Sequence, residues 1–341
     1  MGLPSNSGLN LYEKYKKGSK NLITDVKGVK VGSVTIQNGD VNTGVTVIFP
    51  HEGNIFQDKV MAGAAVLNGF GKSMGLIQIE ELGTIETPIV MTNTLSIGTA
   101  ATALTKYMLE QNKDIGTTTG TVNCVVTECN DGSLNDIRGL HVTEEDVFKA
   151  LNSPSDVFEE GAVGSGTGMC CLGFKGGLGS ASRVLDIDGK EYTMGAMVMS
   201  NFGGSGNLTI GGDHIGRRIK EAQNNKKDQG SIIIIIATDI PLSERQLKRV
   251  AKRASISLAR TGSYMGNGSG DVAIAFTTAN RLPHYSNTDI IETKMFYDEN
   301  IDRVFEASVE AVEEAVISSL YHAETTVGFN GKEVKGLREF L

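Results

Sequence analysis

The stretch Ser231-Ile-Ile-Ile-Ile-Ile-Ala-Thr238, followed by Pro241, Ser243-Glu-Arg-Gln246 and then Asp271-Val-Ala-Ile-Ala-Phe-Thr-Thr278, decides the fold class. Its β-branched run is too short to span a bilayer and predicts a strand buried on both faces. Ser243 with Gln246 three residues later is a capping box that opens a helix. Leu247, Val250, Ala251, Ala254 and Leu258 make the apolar stripe of that helix, and Gly262 is a plausible stop. Asp271 to Thr278 then reads as another strand. Helices interspersed with strands point to layered α/β packing.

Outward from this stretch, a final helix is predicted from about Arg303 to Tyr321, with Phe305, Val309, Val312, Val316 and Leu320 at helical spacing. On the amino-terminal side, Met194 to Met199 reads as a strand ending at Ser200-Asn-Phe-Gly-Gly204, and Val122 to Thr127 as one ending at Glu128-Cys-Asn-Asp-Gly132. Ile97 to Gln111 is expected to be a helix with Ala100, Ala103, Leu104 and Tyr107 on one side. Val45 to Phe49 is expected to be a strand, and Asn21 to Gly32 a strand, turn and strand. Lys59 to Leu67, rich in alanine and valine, reads as the start of a buried helix.

The 341 residues are 40% hydrophobic and 21% charged, enough for a large core, and no linker-like stretch divides them. A single domain over 1–341 is expected. A net charge of −8 and the lack of a basic run argue against nucleic acid as a partner. No apolar run approaches bilayer length and the opening residues hold no apolar signal region, so a membrane role is not expected and a cytoplasmic location is. Cys124, Cys129, Cys170, Cys171 and the five histidines lack zinc-site spacing, which leaves the thiols as packing residues and no metal expected. The glycine-rich stretches lack a P-loop lysine and a strand–turn–helix frame, so no nucleotide is expected either.

The segment Arg260-Thr-Gly-Ser-Tyr-Met-Gly-Asn-Gly-Ser-Gly-Asp271 sets Ser269 between two glycines just before a strand. A serine hydroxyl needs a base beside it to become a nucleophile. A serine at a chain's amino terminus carries one, because its own α-amine, with a reference pKa of about 7.7–8.0, can be neutral near physiological pH. Within an intact chain that nitrogen is tied up in a peptide bond. Strain at a tight glycine-flanked turn is expected to help Ser269 Oγ attack the carbonyl of Gly268.

Blocks spread over most of the chain resemble one family. They include Thr24-Asp-Val-Lys-Gly-Val-Lys-Val-Gly32, Leu67-Asn-Gly-Phe-Gly71, Thr87-Pro-Ile-Val-Met-Thr-Asn-Thr94 and Leu134-Asn-Asp136. They continue through Lys175-Gly-Gly-Leu-Gly-Ser-Ala-Ser-Arg183, Asn201-Phe-Gly203, Ala237-Thr-Asp239, Gly268-Ser-Gly-Asp271 and Ala323-Glu-Thr325. The chain resembles the L-aminopeptidase D-amidase/D-esterase and β-aminopeptidase family of self-processing serine aminopeptidases. The resemblance implies a four-layer αββα sandwich like that of N-terminal-nucleophile hydrolases, with no cofactor. It also implies a homo-oligomer, commonly a tetramer of αβ units. The implied substrates are small peptides, amides or esters that yield an amino-terminal α- or β-amino acid.

Carried over residue by residue, the resemblance places a cut at Gly268/Ser269, giving an α chain 1–268 and a β chain 269–341 with Ser269 as nucleophile. Asn201 becomes the oxyanion donor, on a turn where a fixed side-chain amide is plausible. Glu128 becomes the carboxylate that meets the substrate ammonium. Some aminopeptidase members carry a tyrosine where Asn130 stands, and that part of the family pattern is absent here. A downstream serine and glutamate two residues apart match Ser308 and Glu310. Side chains two apart on a helix point about 200° apart, so they could not both face Ser269. Glu310 also falls on an acidic stripe with Glu306 and Glu313 that reads equally as a solvated face, and Glu314 and Glu324 are substitutes. Two alternatives stay open. One is an acyltransferase of the ornithine acetyltransferase type, which uses threonine as nucleophile; the other is an unprocessed binding protein of the same fold.

Overall fold

A computed structural model describes residues 2–4, 7–204, 206–219 and 229–341. In chain order the strands are β1 (Lys30–Asn38), β2 (Val41–Phe49), β3 (Asp58–Gly69), β4 (Thr84–Ile85), β5 (Ile89–Asn93), β6 (Val125–Cys129), β7 (Cys170–Cys171) and β8 (Phe174–Lys175). They continue with β9 (Gly177–Ile187), β10 (Lys190–Asn201), β11 (Gln229–Thr238), β12 (Gly268–Pro283), β13 (Thr326–Val327) and β14 (Glu333–Val334). The helices are α1 (Leu76–Leu82), α2 (Ile97–Gln111), α3 (Glu144–Leu151), α4 (Ile215–Arg218), α5 (Glu244–Thr261) and α6 (Asp302–His322).

Two sheets stack face to face. One has the order β1-β2-β5-β6, the other β4-β3-β12-β11-β10-β9. Helices α2 and α3 cover the first, and α5 and α6 cover the second, which makes four layers in the order αββα. Strand β11 shows why a run of isoleucines suits this arrangement. Ile233 and Ile235 enter the core shared with the four-stranded sheet, while Ile232, Ile234 and Ile236 enter the core under α5 and α6. Period-two alternation with no polar face requires burial on both sides.

Helix α5 carries the expected capping box, with Ser243 Oγ accepting from Gln246 N at 3.2 Å and Gln246 Oε1 accepting from Ser243 N at 3.1 Å. It ends at Gly262, whose φ of 106° a side chain would resist. Its crossover lets β11 and β12 run parallel, from Gln229↔Gly268 to Thr238↔Thr277.

Two local expectations are overturned. Lys59 to Leu67 lies in β3, a strand between β12 and β4, rather than in a helix. Small residues are needed there because α5 packs close: a Cβ on Gly63 would stand 2.3 Å from Lys248 N. Asn21 to Gly32 contributes only one strand, β1 from Lys30. Before it lies a short 3-10 turn, Ile23–Asp25, closed by the Asp25 carboxylate accepting from Lys20 N at 3.0 Å and Leu22 N at 3.2 Å. Among the described residues, no helix is long and apolar enough to cross a membrane.

Candidate active site

The carboxyl ends of β6 and β10 and the amino ends of β11 and β12 converge on one cavity of about 1060 Å³. Glu128, Thr94 and Asn130 line it from the four-stranded side, and Asn201, Ser231 and Gly268 from the six-stranded side. The β7–β8 hairpin contributes Cys170 and Phe174, and the carboxyl-terminal segment adds Lys332 and Phe340. The stacked sheets and the segments beyond their strand ends together bring these distant residues to one place.

Glu128 is buried on β6. Its Oε1 accepts from Lys72 N at 2.8 Å and its Oε2 accepts from Thr94 Oγ1. An ionised carboxylate has about four lone-pair sites, so two bonds orient it and leave capacity for a cation in the cavity. The Leu67–Gly71 and Thr87–Thr94 blocks therefore have a local purpose, since the residues at or just beyond their ends hold this carboxylate. Where some aminopeptidases have tyrosine, Asn130 uses its side-chain oxygen to accept from Gly132 N at 2.9 Å.

Asn201 ends β10 with its amide fixed from both sides. Oδ1 accepts from Cys170 N at 2.9 Å and Nδ2 donates to Asn130 O at 2.9 Å. These partners determine which end is nitrogen and leave its second hydrogen available. The hairpin that supplies Cys170 is held by Lys175, a fully buried ammonium. It donates to Gly166 O at 3.1 Å, Met169 O at 2.7 Å and Gly176 O at 2.7 Å, and burial lowers its pKa to about 8. The sequence reading gave Lys175 no role; a lone lysine before Gly-Gly in a glycine-rich stretch was the available signal.

Ser269 lies within β12 rather than just before it, completely buried. Its Oγ donates to Asp271 Oδ1 at 2.6 Å, and its backbone N–H donates to Gly266 O at 2.9 Å. Ser269 and Asp271 share the strand face of Ala273 and Ala275, which packs beneath the helices, whereas Gly268 lines the cavity. The expected strained turn at the two glycines is absent, since neither Gly268 nor Gly270 has positive φ. Gly270 is instead required by close approach, because a Cβ there would meet Phe70 O at 2.5 Å.

Ser308 and Glu310 lie on α6, as expected, and neither lines the cavity. Glu310 is not on a solvated face. It is buried and accepts from Arg183 Nε at 3.0 Å, Lys14 N at 3.1 Å and Tyr15 N at 3.3 Å, so the segment around residues 14–21 covers this side of the helix. Glu314 joins it, paired with Arg183 at 2.7 Å and Lys17 at 2.9 Å. The Ser308 hydroxyl is buried without a hydrogen-bond partner. Glu324 is exposed and pairs with Arg338 at 3.1 Å.

Residues 21–334 match Peptidase family S58. The chain is 37% identical over 347 residues to the β-peptidyl aminopeptidase BapA of Sphingosinicella microcystinivorans, covering 94% of this chain and 86% of that one. Its fold superposes on the PH0078 protein of Pyrococcus horikoshii with a TM-score of 0.92 at 55% identity, over 97% of this chain and 94% of that one. It superposes on the L-aminopeptidase D-Ala-esterase/amidase of Ochrobactrum anthropi, described as a variant of the Ntn hydrolase fold, with a TM-score of 0.90 at 39% identity and the same coverage. A match over nearly the whole chain, on a fold that gathers Glu128, Asn201 and Gly268 around one cavity, shows that this chain belongs to peptidase family S58.

Proposed function

We propose that this chain is a serine aminopeptidase that cuts itself between Gly268 and Ser269 and then releases amino-terminal α- or β-amino acids from small peptides, amides or esters. The observation that supports the reading is the cavity itself, lined by a buried, doubly hydrogen-bonded carboxylate, a fixed side-chain amide and Gly268. Glu128 holds the substrate ammonium. Once Gly268 is released, Ser269 becomes a chain terminus free to turn toward the cavity wall that Gly268 now forms. Its α-amine takes the hydroxyl proton as Oγ attacks the substrate carbonyl, and Asn201 Nδ2 stabilises the oxyanion. Water then hydrolyses the ester and frees the amino acid.

Ser308, whose buried hydroxyl on α6 has no hydrogen-bond partner, stays in the proposal as a support of the nucleophile. Glu310 stays in it as the anchor that ties residues 14 and 15 to α6. Assembly as a tetramer of αβ units is part of the same reading, and light scattering measures it.

The test separates the two reactions. Mass spectrometry of the denatured wild type is expected to show fragments 1–268 and 269–341, and Ser269→Ala to remain whole and inactive. An N-acetylated substrate is expected to lose about tenfold to a hundredfold or more in turnover, because a hydrogen bond to a charged group contributes about 1.5–3 kcal/mol. Glu128→Gln is expected to lose activity on free amines yet still process itself, since Gly268 carries no free amine. Equal hydrolysis of free and acetylated substrates overturns the aminopeptidase assignment.

A further inference from the structure

Among the described residues, five with charged side chains line the cavity, and their charges do not balance: Lys72, Lys332 and Lys335 stand against Glu128 and Glu333. A substrate ammonium takes Glu128, and Glu333 is exposed on β14, so the occupied site keeps an excess of positive charge. Such a wall suits a substrate with a negative group at its other end. Of the three lysines, Lys335 pairs with Glu339 at 3.7 Å. Lys72 sits at the ammonium end, where its backbone N donates to Glu128 Oε1 at 2.8 Å, and its Nζ lies 5.0 Å from the centre of the Phe70 ring. Lys332 is different. It is half-buried, its Nζ donates to Ser133 Oγ on the cavity wall, and among the described residues it has no carboxylate partner. Two hydrogens of that ammonium are left for a ligand. Its hairpin is pinned to both walls, because Phe329 N donates to Leu134 O at 2.8 Å and Lys175 N to Lys335 O at 2.8 Å.

The turn that follows β6 sets these groups in order. Glu128 comes first, then Asn130, whose carbonyl accepts from Asn201 Nδ2 at 2.9 Å, then Ser133 with the Lys332 ammonium on it. A dipeptide presents its ammonium, its scissile carbonyl and its carboxylate in the same order. Resting on the aminopeptidase reading above, we propose that Lys332 binds the free carboxylate of the leaving amino acid, so that dipeptides are preferred to amino-acid amides and simple esters. The contact is remote from the reacting carbon and exists both before and during the reaction. It therefore acts on substrate affinity and selects the leaving group, while Glu128 selects the amino end.

The experiment measures kcat/KM for a dipeptide and for its carboxyl-terminal amide, both with a free amino terminus. Wild type is expected to favour the acid by about tenfold or more, chiefly through KM, because the amide cannot form the charged hydrogen bond. That preference is expected to shrink as salt is raised to about 1 M, where charges in contact with solvent are screened. Lys332→Gln is expected to bring the acid-to-amide ratio to unity, and Lys332→Arg to keep it. A ratio taken on one preparation cancels any general loss of active enzyme. A ratio of unity in the wild type, or an undiminished ratio in Lys332→Gln, overturns the proposal, and so does a ratio that collapses in Lys72→Gln instead. Should Lys332→Gln fail to fold, the wild-type ratio and its response to salt decide. These results leave the aminopeptidase reading in place. That reading falls, and the role of Lys332 with it, if free and N-acetylated dipeptides are hydrolysed equally.

Discussion

Glu160 shows how a single buried acid makes this fold sensitive to pH. Ser180 N and Ser318 Oγ both donate to its Oε1 at 2.7 Å, yet burial, reinforced by the charge of Glu314, raises its pKa to about 7. Below the unfolded value of 4.5 the group is protonated in both states and exerts no pH-dependent effect. Between 4.5 and about 7 the unfolded chain has lost the proton that the folded chain retains, so stability falls as pH rises, and above about 7 the penalty is complete. Glu160→Gln keeps a carbonyl oxygen for both donors and removes the charge. Urea unfolding is therefore expected to show the variant gaining stability over wild type at pH 8 and little at pH 4.5; the same difference at both values contradicts this account.

At the scale of elements, the contact between β3 and α5 depends on the absence of a side chain. A Cβ on Gly63 would stand 2.3 Å from Lys248 N and 2.8 Å from Glu244 O, both backbone atoms that cannot swing aside. Gly63→Ala is expected to push α5 from the sheet and cost about 1–3 kcal/mol, seen as a lower urea midpoint with an unchanged slope. An unchanged midpoint means that the layer can move freely. The same close packing explains what the sequence concealed. Helix α5 was legible because Ser243, Gln246 and Gly262 mark its ends and its stripe has one period. Strand β3 was not, because Val60 to Ala65 is buried on both faces and its small residues show neither a period of two nor one of 3.6. At the site, Glu128, Asn201 and Gly268 could be assigned through resemblance, and the fold brings them to one cavity. The partners that orient them were hidden. Lys72 N, Cys170 N and Asn130 O are backbone groups, and Arg183 meets Glu310 across 127 residues of chain.

At the scale of the whole molecule, the proposed cut would divide the chain without dividing the fold. Residues 269–341 contain nearly all of β12 and all of α6, β13 and β14. Strand β12 lies inside the six-stranded sheet, parallel to β11 on one side and antiparallel to β3 on the other, so it cannot leave without breaking both ladders. Helix α6 is buried around nearly its whole circumference. Val304, Val312 and Val316 enter the core, while Glu310 and Glu314 hold Arg183, Lys17 and the backbone at residues 14 and 15, all of which belong to the longer fragment. Exposing these apolar surfaces together would cost far more than the chain entropy gained by one cut. The fragments are therefore expected to elute as one species in size-exclusion chromatography, to separate only in denaturant, and to unfold in a single transition. Elution of a free 269–341 fragment without denaturant would show that the covalent link through Gly268 holds the layers together.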